Sequence, residues 1–426
     1  MLRKKSRLNL SKKRKKKSLV KSKPFPNPMI KVLVLIIIIV LGVLIVVSMV
    51  NQRPKEEKET KEFQTGPDAT SVPTKKPQVN NQTNKNKKVG ISYYIDPNLG
   101  NDSNFGLSKN SSFKTIQKGL SVANPSDVIN LSNGIYFQNV LSVRDGTSDG
   151  PITIKGEKGA IVKGSGGPRV IEINHNNIHL EGFTVDGLVG DPNDKKSYRD
   201  KLIYVLGKKP YNGVTGLKIT RMIIQNAGGE CIRLRYYAIG NEISYNAIGP
   251  CGAFDFKFES NNKNGEGIYI GTSADQWGDG KNPTKDPDKS SKNYIHHNTI
   301  NTQGNECVDI KEGSRENIVE YNSCTGQMDP ESGGFDARGD RNIFRYNLTF
   351  GNKGAGIRLG GHTIDGIIYG LGNDVYGNTF RQNEAGGLKI ETEPQGKICA
   401  NIMAENGSRE KFGSKADSYN PTRSCN

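Results

Sequence analysis

The chain has little of what helical proteins are built from. Only 34% of its 426 residues are hydrophobic, and it holds a single Trp. No stretch after residue 90 keeps apolar residues at helical spacing over several turns, which excludes a leucine-rich or helical repeat. The 50 glycines are instead typical of a fold with many tight turns.

A basic patch is absent from most of the chain. The formal net charge is +17, but residues 1–31 hold 13 Lys and Arg and no acid. The rest of the chain carries 47 basic and 43 acidic residues. Because proteins that bind nucleic acid usually carry a basic surface on the folded domain, we expect no nucleic-acid partner.

One long apolar run lies near the N-terminus. Residues 32–50 are 19 uncharged residues broken only by Gly42 and Ser48. A helix of that length crosses a hydrocarbon core of ~30 Å, and the run is longer than the ~7–15 apolar residues of a signal peptide. We predict an uncleaved transmembrane anchor in a single-pass membrane protein. The basic tail 1–31 is then cytoplasmic and the remainder of the chain extracellular.

Residues 51–90 contain almost no apolar side chains. They are rich in Lys, Glu, Thr, Pro, Asn and Gln and cannot bury enough surface to fold. We expect a disordered linker that holds the next domain away from the membrane. From residue 91 the composition changes to Ile, Gly, Asn and aromatic residues, so the extracellular domain is expected to span 91–426.

The extracellular domain is repetitive. An Asn recurs three residues after an apolar residue, at Asn246, Asn298, Asn322, Asn347, Asn378 and Asn401. Segments that alternate apolar with polar residues recur in register with it, as in 267–271, 307–311, 334–338 and 356–360. A period of two indicates strands, and repeats near 24 residues predict an all-β fold, a right-handed parallel β-helix. Apolar members of each strand should point inward, and the Asn column should form an internal ladder.

One segment has helical character. Residues 113–123 follow Ser111 and Ser112, which are candidate N-caps. We expect a short helix here that covers the open N-terminal end of the coils, because the terminal repeats of a solenoid must be capped.

The six cysteines contain no Cys-x-x-Cys motif, which disfavours a thiolate metal site. An extracellular domain is oxidised, so we expect disulfides. Two candidate pairs each fall within a single coil, and the first cysteine of each pair occupies the same position in the repeat. We therefore favour one of the 15 possible connectivities, namely Cys231 with Cys251, Cys307 with Cys324, and Cys399 with Cys425.

Aligning the repeats gives three outward columns of side chains. The first column holds Glu230, Glu266 and Glu306. The second holds Arg233, Tyr269, Asp309, Asp336, Arg358 and Lys389. The third holds Arg235, Gly271, Lys311, Arg338, Gly360 and Glu391.

Stacked carboxylates such as Glu266 and Glu306 are costly unless a cation neutralises them. One interpretation is a Ca²⁺ ion bound by these two glutamates, because Ca²⁺ prefers oxygen ligands. The other is a lattice of surface salt bridges with Arg233, Arg235 and Lys311. Both interpretations remain open from the sequence.

Lys311 and Arg338 stand on adjacent coils in the third column. A neighbouring Arg and a nearby metal ion disfavour an ammonium group, so we expect a lowered pKa for Lys311 and a role as general base. Arg338 stays protonated and can hold a carboxylate or the leaving oxygen. A Ca²⁺ ion on a uronate carboxylate acidifies the adjacent C–H bond. Together these parts predict β-elimination of an acidic polysaccharide.

The stretch 305–322 and the segment Gly-Phe-Asp-Ala-Arg338 resemble the core of the chondroitinase B and alginate lyase family. In that family a carboxylate five residues before a strand lysine binds calcium. The lysine is the base, and an arginine of the next coil is the acid or stabiliser. The resemblance implies that Glu306 is a calcium ligand, Lys311 the base and Arg338 the acid.

Two positions depart from the family pattern. Gly304 stands where the family has a second glutamate, and Gly339 stands where it has a histidine. A broader resemblance covers the start of the domain, where 93–102 and 113–120 are similar to the first repeats of right-handed β-helix surface proteins and pectate-lyase-like enzymes.

For a lyase we expect the substrate to contact Arg233, Arg235, Tyr269, Asp309, Asp336, Arg358 and His362. In a glycoside hydrolase, the carboxyl groups of Asp309 and Asp336 would act with His362. In a glycan-binding surface protein without turnover, the contacts would be Arg233, Arg235, Tyr269, Trp277 and Arg358. The insertion 273–292 is a lid, a binding loop or a plain surface loop. We expect a monomer.

Overall fold

The computed structural model describes residues 89–260, 262–407 and 409–425. The predicted tail, the anchor 32–50 and nearly all of the linker lie outside these ranges. Within the described ranges, the structure contains no helix long and apolar enough to cross a membrane. The first strand is Ser92–Ile95, close to the predicted start of the domain.

Short parallel strands wind into three sheets that recur along the chain in a fixed order. The first sheet is made of Ser92–Ile95, Val128–Leu131, Ile152–Gly156, Ile178–Glu181, Lys218–Thr220, Glu242–Ser244, Tyr294–His296, Ile318–Glu320, Ile343–Arg345, Asp374–Tyr376 and Ile398–Cys399. The second is made of Gly134–Tyr136, Ala160–Val162, Thr184–Asp186, Ile223–Gln225, Ala247–Ile248, Thr299–Asn301, Ser323–Thr325, Leu348–Phe350, Thr379–Arg381 and Ile402–Ala404. The third is made of Val140–Leu141, Arg169–Ile173, Lys201–Leu206, Ile232–Arg235, Ile268–Ile270, Val308–Ile310, Gly333–Ala337, Ala355–Leu359, Gly386–Ile390 and Lys411–Phe412. One passage through the three sheets is one coil, so the fold is the predicted parallel β-helix and is consistent with the right-handed form.

Few described residues adopt other regular structure. A two-stranded antiparallel ribbon, Thr363–Ile364 with Ile367–Ile368, projects after one third-sheet strand. The single α-helix of the described residues is Ile116–Val122. Single turns of 3₁₀ or π helix are Lys109–Ser111, Lys195–Ser197, Ala253–Lys257, Ala274–Gln276 and Ala416–Ser418.

The helix is shorter than predicted. It begins at Ile116 rather than at residue 113, because Thr115 is the N-cap and its side chain accepts a hydrogen bond from the Lys118 N–H at 3.1 Å. Phe113 instead forms a parallel bridge with Ile95. The prediction of Ser111 and Ser112 as N-caps was therefore wrong, although the helix does pack on the first strands and buries Ile116 and Leu120.

The interior of the coils is apolar and stacked in columns. Strand pairing puts residues of successive third-sheet strands directly above one another. One inward column is fully buried and consists of Ile268, Val308, Phe335, Ile357 and Leu388. Such columns of buried side chains provide the hydrophobic stabilisation of a solenoid, in which each coil contacts only its neighbours.

The predicted Asn ladder is present at the turn between the first and second sheets. In each step the side-chain oxygen of one Asn accepts hydrogen bonds from both the backbone N–H and the side-chain amide of the preceding one. Asn322, for example, accepts two bonds from Asn298, each 2.9 Å long. The bonds run without a break through Asn246, Asn298, Asn322, Asn347, Asn378 and Asn401.

Two further amide ladders were not predicted. One precedes the first sheet and consists of Asn241, Asn293, Asn317, Asn342, Asn373 and Gln395. The other follows the second sheet and consists of Gln327, Asn352, Asn383 and Asn406. The sequence contains a signal for both. Asn293 of the first additional ladder precedes Asn298 of the predicted ladder by five residues, and Asn352 of the second follows Asn347 by five residues.

The six cysteines pair as expected from the sequence. The structure joins Cys231 to Cys251, Cys307 to Cys324, and Cys399 to Cys425. In both of the first two bonds, one cysteine immediately precedes a third-sheet strand. Its partner is Cys251, just after the second-sheet strand Ala247–Ile248, or Cys324, within the second-sheet strand Ser323–Thr325. These two bonds therefore anchor the chain next to Glu230 and Glu306, the residues that immediately precede Cys231 and Cys307.

Candidate active site

The register of the third sheet produces the predicted outward columns. Consecutive Cα partners across its strands are Arg233, Tyr269, Asp309, Asp336, Arg358 and Lys389. Lys311 and Arg338 directly follow the paired residues Ile310 and Ala337, so they lie side by side at the ends of adjacent strands. This register brings the chemistry-bearing residues of several coils onto one face.

A groove of about 380 Å³ lies over this face. The predicted residues that line it are Glu266, Tyr269, Glu306, Lys311, Arg338, Arg358 and Lys389. Residues that sequence reasoning missed also line it, among them Asn264, Gln276, Asn305, Glu331 and Ser332. Of these, Asn305 and Ser332 belong to turns that precede third-sheet strands, where the alternating pattern has not yet begun.

The cationic side chains of the groove form ion pairs with buried carboxylates. Lys311 forms an ion pair with Asp309. Asp336 binds two guanidinium groups, at 3.1 Å from Arg338 Nε and 2.7 Å from an Arg358 terminal nitrogen. Both aspartates are 0% exposed, so the expectation that they contact substrate directly, or act as the acids of a hydrolase, does not fit their position beneath the cations.

The prediction of a lowered pKa for Lys311 was wrong for the contacts that the structure shows. Burial alone would lower this pKa, but electrostatic interactions with Asp309, Tyr269 and Glu266 outweigh burial and raise it above its ordinary value. Arg338 acts in the expected direction and lowers it, yet more weakly than Asp309 raises it. In this state Lys311 is a charged ammonium group.

Three carboxylates meet at one end of the groove. Ligand oxygens of Glu266, Glu306 and Asp309 all lie within 4.8 Å of one another, and all three residues are buried. Burial, together with the charge of Glu230, raises the pKa of Glu266 to about 7. Burial and Asp309 raise the pKa of Glu306 well above its usual range.

This carboxylate trio fits a divalent cation. Within the described residues, neither Glu306 Oε2 nor Asp309 Oδ1 accepts a hydrogen bond, although both atoms are buried. An unpaired buried carboxylate oxygen is costly, and a Ca²⁺ ion takes such oxygens as ligands. The residues that would hold the ion are Glu266, Glu306 and Asp309, the last of which was not predicted as a ligand.

Glu230, the first glutamate of the first outward column, belongs to a cluster of salt bridges, which was the alternative to a calcium site. It forms ion pairs with Lys201 at 2.7 Å and Arg233 at 2.8 Å. Although burial raises the pKa of Glu230, these two cations lower it to about 2. The column is therefore divided between a salt-bridge cluster at Glu230 and the carboxylate trio at Glu266 and Glu306.

Tyr269 lies between two cations on the floor of the groove. Its ring centroid is 4.1 Å from the Arg233 guanidinium carbon and 4.6 Å from Lys311 Nζ. Its hydroxyl accepts a hydrogen bond from the Ser273 N–H at 3.2 Å. Burial raises the pKa of Tyr269 to about 12, so the phenol is protonated.

Part of the predicted contact face is covered by the insertion 273–292. Arg235 is 2% exposed because Asn282 and Asp279 of the insertion bind its guanidinium group at 2.6 and 2.8 Å. Trp277 is also buried, and its indole N–H donates to the Thr272 carbonyl. The insertion folds down onto the sheet, so it covers Arg235, and Trp277 is buried within it rather than in the groove lining.

Arg233 and His362 lie beside the groove rather than in its lining. Arg233 donates to Gln276 at 2.7 Å and lines an adjacent depression of about 410 Å³ with Arg169, Lys201 and Tyr204. His362 precedes the antiparallel ribbon, is exposed, and lies 2.7 Å from a Glu312 oxygen. Within the described residues, His362 forms an ion pair with Glu312, whereas the ion-pair partners of Asp309 and Asp336 are Lys311, Arg338 and Arg358.

No family model matches the chain, and no curated protein matches it. Among solved structures, it is similar to the alginate lyase from Paenibacillus sp. str. FPU-7, with a TM-score of 0.56 and 18% identity over 71% of this chain and 95% of that protein. It is also similar to the pectate lyase Pel9A, with a TM-score of 0.51 and 14% identity over 79% of this chain and 83% of that protein. At these identities the likeness shows a shared parallel β-helix fold.

Proposed function

We propose that this protein is a polysaccharide lyase that cleaves an acidic polysaccharide by β-elimination. The observation that carries the proposal is the placement of Lys311, Arg338, Glu266 and Glu306 in one groove, with Asp309 buried against the two glutamates. A base, a planar cation and a cation-binding carboxylate cluster are the parts that the reaction needs. The similar solved structures named alginate lyase and pectate lyase support this choice of reaction.

The cationic side of the groove suits a uronate carboxylate. Arg338, Arg358 and Lys389 all line it, and the first two keep rigid positions through Asp336. An arginine fork binds a carboxylate in a planar, two-point arrangement that a lysine cannot reproduce. Binding there would stabilise the negative charge that develops when the proton beside the carboxylate is removed.

Proton abstraction is assigned to the Nζ atom of Lys311. The proton on the carbon beside the carboxylate moves to Nζ, and its electron pair forms the carbon–carbon double bond. The glycosidic carbon–oxygen bond then breaks, the leaving oxygen takes a proton from water, and the protonated Nζ returns its proton to water before the next turnover. Nζ must be neutral to act, so the charge of Asp309 has to be taken up by a cation other than Lys311.

Calcium is the proposed cofactor, held by Glu266, Glu306 and Asp309. A bound Ca²⁺ ion would act as a Lewis acid toward the substrate carboxylate. The protein holds the three carboxylates close together and shields them from solvent, because all three residues are buried. Their raised pKa values show how strongly the protein resists three negative charges without a partner.

The test is the absorbance of the unsaturated uronate product. The full chain in detergent micelles is offered alginate, pectate, chondroitin sulfate and hyaluronan, with Ca²⁺ and separately with a chelator. Absorbance that grows with one of these polymers and disappears for Lys311→Ala supports the proposal. No absorbance with any acidic polymer, at any calcium concentration, would overturn it.

A glycan-binding protein without turnover is the second candidate. The ion pair between Lys311 and Asp309 favours it, because that pair keeps Lys311 charged and able to hold an anion. Formation of the unsaturated product distinguishes the two functions. A binding protein would hold an acidic polymer with a measurable affinity, show no unsaturated product, and lose affinity in Arg358→Ala.

We also propose that the domain is displayed outside the cell on the predicted anchor 32–50. The three disulfides support an oxidising compartment. Protease treatment of intact cells tests this placement. Digestion of the domain, with a protected fragment containing residues 1–50, is the expected result, and full protection of the domain would contradict it.

A further inference from the structure

Two adjacent histidines meet at the C-terminal end of an interior strand of the first sheet, whereas the groove lies on the third sheet. His296 ends the strand Tyr294–His296, and His297 follows it. His297 has a φ of 55°, in the left-handed region that few residues adopt. This backbone interrupts the strand alternation, so the two neighbouring imidazoles come together, with their Nδ1 atoms 2.9 Å apart.

Aromatic rings hold both imidazoles in place. Tyr294 stacks on His296 with ring centroids 4.0 Å apart. His297 lies between Tyr245 at 4.8 Å and Tyr321 at 5.1 Å, and both pairs are stacked. Two rings that are fixed in this way present their nitrogens with little entropy left to lose on binding.

A carboxylate supports the far side of His296. Glu242 Oε1 lies 3.5 Å from His296 Nε2, and Glu242 is itself held by Lys218 at 3.0 Å and by Ser244 at 3.1 Å. Metal-binding histidines commonly use their second nitrogen in this way, because a carboxylate on that nitrogen fixes the tautomer and the ring orientation. With Nε2 directed at Glu242, the His296 Nδ1 lone pair faces His297.

We propose that His296 and His297 form a binding site for a divalent transition-metal ion through their Nδ1 atoms. With metal–nitrogen bonds of ~2.0 Å, nitrogens 2.9 Å apart subtend an angle of about 93° at the ion. That angle matches the tetragonal geometry of Cu²⁺ or Ni²⁺ better than the tetrahedral geometry of Zn²⁺. Cu²⁺ also binds nitrogen ligands most tightly among the common divalent ions.

The ion replaces the hydrogen bond between the two rings. In the metal-free pair, one Nδ1–H donates to the other Nδ1. In the metal-bound pair, both Nδ1 lone pairs face the ion, and the His297 proton lies on its Nε2. Because His297 is exposed, water can fill the remaining positions around the ion. Ca²⁺, which prefers oxygen, is not a competitor for this site.

The test titrates CuCl₂ into the full chain without a polyhistidine tag, in detergent micelles. With excess Ca²⁺ present to occupy the carboxylate trio, calorimetry should give one saturable site in the micromolar range. Electron paramagnetic resonance should show a tetragonal Cu²⁺ signal with nitrogen splitting. His296→Gln and His297→Gln should each weaken binding by ~10-fold or more, and Glu242→Gln should weaken it by about 10-fold through the supporting carboxylate. His362→Gln is the matched control, because it removes another exposed histidine and should change nothing.

Thermal unfolding without metal separates binding from folding. His297 is exposed, so His297→Gln should keep the metal-free melting temperature while it removes the stabilisation that Cu²⁺ gives the unaltered chain. The proposal is overturned by an unaltered chain with no saturable Cu²⁺ binding in the micromolar range. It is equally overturned if His296→Gln and His297→Gln bind Cu²⁺ as well as the His362→Gln control does.

Discussion

Lys311 forms an ion pair with Asp309, which stands two residues earlier in the chain and also belongs to the carboxylate trio. One carboxylate therefore serves both the proposed base and the proposed metal site. A cation bound by the trio and the ammonium group of Lys311 compete for Asp309. This relationship links the calcium requirement of the site to the proton affinity of its lysine.

Replacement of the proposed base should abolish turnover without abolishing binding. Lys311→Ala is expected to lower kcat by ~10²–10⁴-fold on the active polymer, because general base catalysis contributes about that much. Polymer affinity should change only a few-fold, since Arg338, Arg358 and Lys389 still line the groove. Lys292→Ala, whose side chain is 68% exposed on another face, is the control and should keep full activity. Unchanged kcat in Lys311→Ala would show that the base lies elsewhere.

Calcium affinity should rise with pH through neutrality. The metal-free pKa of Glu266 is raised to about 7 by burial and by the charge of Glu230, so below that pH a proton occupies a ligand oxygen. A carboxyl group with a raised pKa in the folded state stabilises the fold below its unfolded pKa, and this stabilisation is lost as pH rises through the folded value. In a chelator, the melting temperature should therefore fall between about pH 5 and 8.

Added Ca²⁺ should restore that loss, with the largest rise in melting temperature at the high end of the range. Glu266→Gln should show a smaller pH-dependent fall and a smaller calcium effect, because Glu306 still has a raised pKa. Glu306→Gln should weaken calcium binding by itself. Differential scanning fluorimetry with and without Ca²⁺ measures both. A calcium effect of equal size at pH 5 and pH 8 would contradict this assignment.

The guanidinium group of Arg338 should be needed for its shape as well as its charge. Arg338→Lys keeps the charge but loses the planar fork that Asp336 orients at 3.1 Å. We expect kcat to fall by ~10²-fold or more in both Arg338→Lys and Arg338→Ala, as for the loss of one donor to a developing negative charge. Steady-state rates on the active polymer measure this. Near-normal kcat in Arg338→Lys would mean that charge alone is sufficient.

The fold and the columns of the candidate site could be predicted because a solenoid repeats. Once the strand 307–311 is aligned with 334–338, pairing places Asp309 on Asp336 and Lys311 beside Arg338. The pairing of Lys311 with Asp309 follows from the same alternation, since residues two apart on a strand share a face. Arg338 of the next coil lowers the pKa of Lys311, but Asp309 on the same strand raises it more strongly.

The burial of Arg235 beneath the insertion 273–292 could not be predicted from the repeat pattern. Arg235 has the same repeat context as Lys311, yet one is buried under the insertion 273–292 and the other lines the groove. An insertion has no partner in the repeat, so the pattern does not show where it lands. Asp288 is one of the residues that fix the insertion, because it accepts hydrogen bonds from the backbone N–H groups of Tyr236 and Tyr237.

The Asn ladder should provide much of the stability that holds the coils in register. Asn322 is 2% exposed, accepts two hydrogen bonds from Asn298, and donates to the carbonyl oxygen of Ile295 at 2.9 Å. Asn322→Ala leaves several of these buried groups without a partner, at ~1–3 kcal/mol for each. We expect a loss of about 3 kcal/mol or more in the free energy of unfolding, measured by urea denaturation in the presence of intact disulfides. Asn110→Ala, at an exposed position near the N-terminal cap, is the control and should stay within about 0.5 kcal/mol of the unaltered chain. If both variants unfold at the same urea concentration, the ladder marks the register of the coils without stabilising them.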